Sequence, residues 1–294
     1  MPNFAALAVK KQELVRKGLE GSVFIAPTSA AAITAATLFS ATNVRTVTDG
    51  TTTSGSANLG SATATFVSTD VGALVTGTGI PVGTTIASIT SSTVAVMSAN
   101  ATATGASVSV TVKPLASLKT LPAGYTDLGW TTEAGAAFSR SISESTVTSW
   151  GSTSPTRTDV TADTTTMQVV AQETKLSTVA LYTGVDPAGL VPVKATGGSI
   201  EIQKPLLPNP RYYRVLALAV DQSSNGEIYL ARFLPNGKVT GFGNQAFANG
   251  ADAMGYDTTF TGYQDSVLGY TESWLYGGPG WDYLLSDMGF PASA

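Results

Sequence analysis

Residues 42–113 constrain the fold more than any other part of the chain. The stretch is almost wholly Thr, Ser, Ala, Gly and Val, and its only charges are Arg45, Asp49, Asp70 and Lys113. Apolar residues alternate with polar ones in short pieces: Thr63–Val67, Ala73–Thr76, Thr85–Ile89, Val94–Met97 and Val108–Val112. Gly, Pro and Asn separate them. A period of two in β-branched segments, cut by turn residues, predicts short strands and a small all-β unit. Its core aliphatics are few and small, so the unit is expected to be thin and modestly stable. A structureless Thr/Ser linker is the competing reading, and the regular alternation weighs against it.

The flanks have ordinary composition. Residues 3–20 read as a short helix or arm, with Lys10, Lys11, Arg16 and Lys17 making it basic. Ser22–Ala26 reads as a strand stopped by Pro27. Beyond Pro114, strands are expected at Thr146–Trp150, Thr166–Ala171, Ser199–Gln203, Tyr212–Val220, Glu227–Phe233 and Asp257–Tyr263. Pro235-Asn236-Gly237 reads as a tight turn. Lys175–Tyr182 changes period, with Leu176, Val179 and Ala180 on one face and Gly184 as C-cap, which predicts a helix. The pattern describes an antiparallel sandwich or barrel with one flanking helix. Residues 1–41 and 114–294 form its core, and 42–113 are a separate β unit. Residues 251–294 carry six acidic side chains and no Lys or Arg, with aromatics that point to partial packing.

Only 12% of the residues are charged and the net charge is −4. That share is about half the usual one, which suits a chain that buries much of its surface against copies of itself. The acidity argues against a surface that grips nucleic acid. No cysteine or histidine is present, which excludes disulfides, thiol nucleophiles, the usual zinc sites and Ser-His-Asp chemistry. A carboxylate pair remains possible on paper, with Asp159 and Asp163 or Asp282 and Asp287 as candidates. Acids on loops more often form turns or face water, so no enzyme and no cofactor is expected. Neither the Gly241–Gly243 nor the Gly277–Gly280 run has phosphate-loop form. No export signal or membrane-spanning run is visible.

Asp127-Leu128-Gly129-Trp130-Thr131-Thr132-Glu133-Ala134-Gly135, followed by Phe138-Ser139-Arg140-Ser141, resembles a "DLGY-TEDG-FSRS" segment of major tail proteins from siphophages of actinobacteria. Val147–Trp150, Pro155-Thr156-Arg157 and Asp159-Val160-Thr161 are similar to that family's "V-W-PVRRDVT" segment. Leu181-Tyr182-Thr183-Gly184 and the closing Gly278-Pro279-Gly280-Trp281 and Met288-Gly289-Phe290 fit the same order. The resemblance covers residues 1–41 and 114–294. Residues 42–113 depart from the simpler members and read as an outward-facing insertion.

The resemblance implies a virion tail tube of stacked six-copy rings, assembled in the host cytoplasm, through which DNA passes without specific binding. It implies the tape measure, tail terminator and distal tail proteins as further partners. Barrel diameter grows with strand number, so a duplex-wide bore needs strands from several copies. Lys10, Lys11, Arg16 and Lys17 are the candidate inter-ring or inter-subunit contacts. Two rivals stand beside this reading: an adhesin or tail-tip module that binds carbohydrate through 42–113, and a capsid decoration protein.

Overall fold

Two antiparallel sheets that share no strand organise the chain. The computed structural model describes residues 10–40, 44–114, 117–204, 206, 211–224, 226–247, 249 and 253–290. One sheet takes all its strands from the Thr/Ser-rich stretch: β2 (Arg45–Thr52), β3 (Asn58–Gly60), β4 (Leu74–Gly77), β5 (Ile86–Ser91), β6 (Val94–Met97) and β7 (Gly105–Lys113). The other holds β1 (Glu20–Pro27), β8 (Thr126–Asp127), β9 (Thr131–Val147), β10 (Arg157–Ala171), β11 (Tyr212–Ser223), β12 (Gly226–Phe242), β13 (Tyr256–Gly262) and β14 (Ser273–Gly277). The helices are α1 (Ala35–Leu38), α2 (Leu176–Thr183) and α3 (Pro279–Leu284).

The smaller sheet runs β4-β7-β2-β3-β6-β5. It also meets itself: Leu74 bridges Thr85, Val75 N–H reaches the Thr84 carbonyl at 2.8 Å, and Ile86 N–H reaches Ala73 at 2.9 Å. The sheet is therefore a small barrel, which removes most of its exposed edge. Leu59, Phe66, Val75, Ile86 and Met97 fill it together with alanines and valines. A buried ion pair crosses its end. Arg45 donates two hydrogen bonds to Asp70, at 3.0 and 2.5 Å, and a third from Nε to the Ala64 carbonyl at 2.6 Å. The expected strand at Thr63–Val67 does not form. Asp49 holds the Thr63 amide and hydroxyl, Arg45 holds Ala64, and Thr65 sits at φ +45°, so side chains take the backbone bonds that a strand would need.

The larger sheet runs β8-β1-β11-β12-β13-β10-β9, with β14 on the first half of β12. It curls into a half-barrel. Val23, Ile25, Val215 and Leu234 from one half meet Met167, Val169 and Phe260 from the other, and Leu181 of α2 packs with them. Gly184 at φ +73° ends α2, as the sequence predicts. The opposite face of β1, β11 and β12 is covered by Ile33, Leu38, Phe39, Leu118 and Leu121 from the connections to the small barrel.

Several expectations are corrected. Residues 3–9 of the expected N-terminal helix lie outside the described residues, and the rest holds only a single 3-10 turn at Gln12–Leu14. Pro235-Asn236-Gly237 is not a turn, because β12 runs straight through it. The β11 register slips there, between Tyr213 and Val215, and the other edge of β12 changes partner from β14 to β13. A proline is tolerated at such a break, where its missing N–H costs no ladder bond. Ser199–Gln203 forms only an isolated bridge from Ser199 to Val193. The strand at Thr146–Trp150 stops at Val147.

Candidate assembly surfaces

The β9–β10 hairpin is longer than the sheet that roots it. At its base Phe138 pairs with Met167, and Met167 with Phe260, inside the core. Beyond Ser139 both strands leave the body. Every residue from Ser139 to Val147 is exposed, as is nearly every residue from Arg157 to Asp163. Two strands bare on both faces are marginal in water, and among the described residues this arm has no packing partner. Pairing along β9 is otherwise complete on one side only; its outer edge has no strand neighbour among the described residues.

Register assigns the arm two unlike faces. Ser139, Ser141, Ser143 and Ser145 share one with Thr164 and Thr166, and that face continues onto Gln168 and Thr259. The other carries Ile142, Val160, Glu144 and the Arg140–Asp163 ion pair. Ile142 and Val160 are exposed apolar side chains there. The hydrogen bonds from Arg140 hold Asp163 below the usual carboxylate range. From residue 131 to 171 the acids Glu133, Glu144, Asp159 and Asp163 outnumber Arg140 and Arg157. Each arginine is already bound to one of those acids.

At the tip the Ser152 N–H closes a turn onto the Ser149 carbonyl at 3.1 Å, with Gly151 at φ +86°. Only glycine takes that angle freely. Ser149 and Thr156 hydroxyls bond across the neck at 2.8 Å. The turn holds Trp150 fully in solvent, at 105% of its reference exposure.

The root of the arm is fixed by Arg232. Its guanidinium lies 3.7 Å from the Phe138 ring and 4.3 Å from the Trp274 ring, and it pairs with Glu272. Glu272 accepts a bond from Thr165 at 3.1 Å. A planar cation between two rings ties β9 and β10 to β12 and β14.

The half-barrel is open between β1 and β9. β8 covers only Phe24 and Ile25, leaving the start of β1 without a strand on that side among the described residues. The gap is a trough of about 1280 Å³, floored by Ala217 and Ala219 and walled by Gly21, Ala136, Trp130 and Tyr276. A third exposed feature is the excursion from Val185 to Arg211. It is clasped at its base by an Asp186–Arg211 ion pair and shows Val191, Val193 and Leu206 to solvent. Loops of this length usually serve a partner or a ligand.

Two of the four basic residues singled out from the sequence are held in ion pairs within the chain. Lys11 pairs with Asp287 at 2.5 Å, and Arg16 with the buried Asp221 at 3.4 Å. Lys10 and Lys17 are exposed. The carboxylates considered for acid–base chemistry are each in an ion pair: Asp159 with Arg157, Asp163 with Arg140, Asp282 with Lys113 and Asp287 with Lys11. No group of three metal-ligating side chains occurs among the described residues, and no helix among them is long and apolar enough to cross a membrane. Sequence reasoning missed Arg232 and the exposure of Trp150. An arginine inside an apolar strand and a Trp-Gly pair between two strands were the available signals.

No curated protein matches the chain. A family model described as phage tail tube protein matches residues 84–271. The match covers more than half of the sequence, including the whole arm, the half-barrel strands β8–β13 and the last three strands of the small barrel. A β-rich chain with an unpartnered strand arm and an open half-barrel fits a subunit made to join copies of itself, and with that match the chain belongs to the phage tail tube protein family.

Proposed function

We propose that copies of this chain close into rings, six by the resemblance, and that the rings stack into the tail tube of a siphophage, the conduit for genome ejection. The observation that carries this reading is the β9–β10 arm, whose strands are exposed on both faces among the described residues. A neighbouring copy supplies one. Two different surfaces of one chain then meet head to tail, the arrangement that generates rings and stacks.

In this reading the Ser/Thr face of the arm looks into the bore, and the Ile142–Val160 face packs against a neighbour. Duplex DNA carries one negative charge per about 1.7 Å. A hydroxyl surface with its arginines already neutralised offers no chain of cations to hold it. Residues 1–41 and 114–294 serve as the tube domain. Residues 42–113 serve as an inserted, outward-facing unit, supported by the closure of its sheet and by its docking through Lys113 on Asp282 at 2.8 Å. The family match begins within this unit, so its last strands belong to the matched region while the division into domains rests on sheet topology. The tape measure, tail terminator and distal tail proteins are the further partners, and assembly takes place in the host cytoplasm.

Negative-stain microscopy of the purified protein is expected to show hollow tubes of one diameter. Dispersed particles at all concentrations would sink the reading. Lys10, Lys11, Arg16 and Lys17 are proposed as contacts between copies. Since Lys11 and Arg16 also hold the segment to its own chain, Lys17→Glu is the cleaner change. It should shorten or abolish tubes while the subunit stays folded, and tubes of normal length would remove Lys17 from the interface.

A further inference from the structure

We infer that the arm tip of one copy anchors in the half-barrel trough of another, with Trp150 as the inserted side chain. This rests on the tube reading and specifies its contact.

The tip supplies a knob without a hole. Tryptophan, with tyrosine and arginine, is enriched among the residues that dominate the centres of protein interfaces. Here it stands fully exposed on an ordered turn, held by the Ser152–Ser149 bond and the Ser149–Thr156 hydroxyl pair. An aromatic of this size normally buries about 150–250 Å². No described residue of its own chain covers it.

The trough supplies a hole that no described residue fills. Its floor, Ala217 and Ala219, is small, and Trp130 on the rim is 78% exposed. Its volume of about 1280 Å³ exceeds that of ordinary ligand pockets, about 300–1,000 Å³, and suits a protein turn better than a small molecule. It also lies between two strand edges, which can take up backbone bonds from an inserted turn.

The two surfaces cannot meet within one copy. The trough ends at Phe138, and β9 stays paired with β10 from there to Val147. Nine residues of strand carry the tip roughly 30 Å away. Charge does not oppose the contact. The tip, from Thr148 to Thr156, carries no charged residue. The trough rim carries Glu20 and Glu133, while its lining arginines, Arg16 and Arg232, are paired with Asp221 and Glu272.

The chain has no cysteine, so introduced thiols report cleanly. Two single variants, Thr153→Cys at the tip and Ala134→Cys at the trough, are mixed and oxidised. A disulfide-linked mixed dimer is expected. Thr153→Cys with Val82→Cys, on the small barrel, should give none, and Trp150→Ala in the tip partner should abolish the link. Trp150→Ala alone should raise the concentration needed for polymerisation by about thirtyfold or more, with an unchanged circular dichroism spectrum because the side chain is exposed. Equal linking to Val82→Cys, or tubes from Trp150→Ala at the wild-type threshold, would overturn the anchor. Failure of the wild-type protein to form tubes would overturn the tube reading itself, so the two failures are distinguishable.

Discussion

Excising residues 141–164 and joining Arg140 to Thr165 through Asn-Gly should leave a folded, soluble subunit that forms no tubes at any concentration. Arg140 and Thr165 face each other across the hairpin, and a two-residue Asn-Gly loop suits such a pair. The removed residues lie outside the core clusters, so the midpoint of thermal unfolding should barely move. Phe138, Met167 and the Arg232 clamp all remain. Sedimentation velocity and electron microscopy check the result; tubes assembled from the shortened chain would show that the arm is not the seam. A companion measurement needs no mutation. Arm amides should exchange rapidly with solvent in the free subunit and slowly in tubes, because a hairpin bare on both faces is ordered by what it packs against.

Arg45→Ala is expected to unfold the small barrel while the half-barrel stays intact. Asp70 is 2% exposed, and both its oxygens take bonds from Arg45. Removing the guanidinium strands a buried carboxylate, which costs about 3–5 kcal/mol. A thin core of small side chains has little stability to set against that loss. Nuclear magnetic resonance should show the amides of 45–113 collapsing to unfolded shifts while those of β10–β13 persist. A variant that keeps its barrel resonances in place at 37 °C would refute the role given to the pair. Replacing both partners, as Arg45→Met with Asp70→Leu, should recover most of the loss, since an apolar pair leaves no charge behind.

Acid should do slowly what Arg45→Ala does at once. Burial pushes the Asp70 carboxyl up, but the bonds from Arg45 and the Val67 amide, with the Arg45 charge, outweigh it and leave it below its ordinary value. Hydrogen bonds from Ser61 and then Thr63 bring Asp49 down to about 2. Folded values below unfolded ones mean stability that is full above about pH 4 and lost as pH falls through the folded values. The barrel should therefore loosen between about pH 4 and 2.

Much of the architecture was legible in local pattern. The alternation in 42–113 predicts short strands, and six form there. The change of period at Lys175–Tyr182 with Gly184 behind it predicts α2 nearly to the residue. These features depend on neighbours a few positions away, which a sequence records directly. Composition also spoke for a surface shared with other copies, because so few charges leave little to keep a lone chain apart from its fellows.

Other features were settled by contacts distant in sequence. Pro235-Asn236-Gly237 has turn chemistry, yet β11 and β13 hold it within a strand. Thr63–Val67 has strand alternation, yet Asp49 and Arg45 take its polar groups. The exposed arm and the trough reveal themselves only when the sheet is assembled, since exposure depends on what fails to cover a residue, and no window of sequence contains that. By itself the sequence determined most of the extended segments, the place of α2 and that histidine and cysteine side chains are absent. The tertiary structure alone decided which edges and aromatics are left open, because solvent exposure is a property of the whole packing and not of any residue's neighbours along the chain.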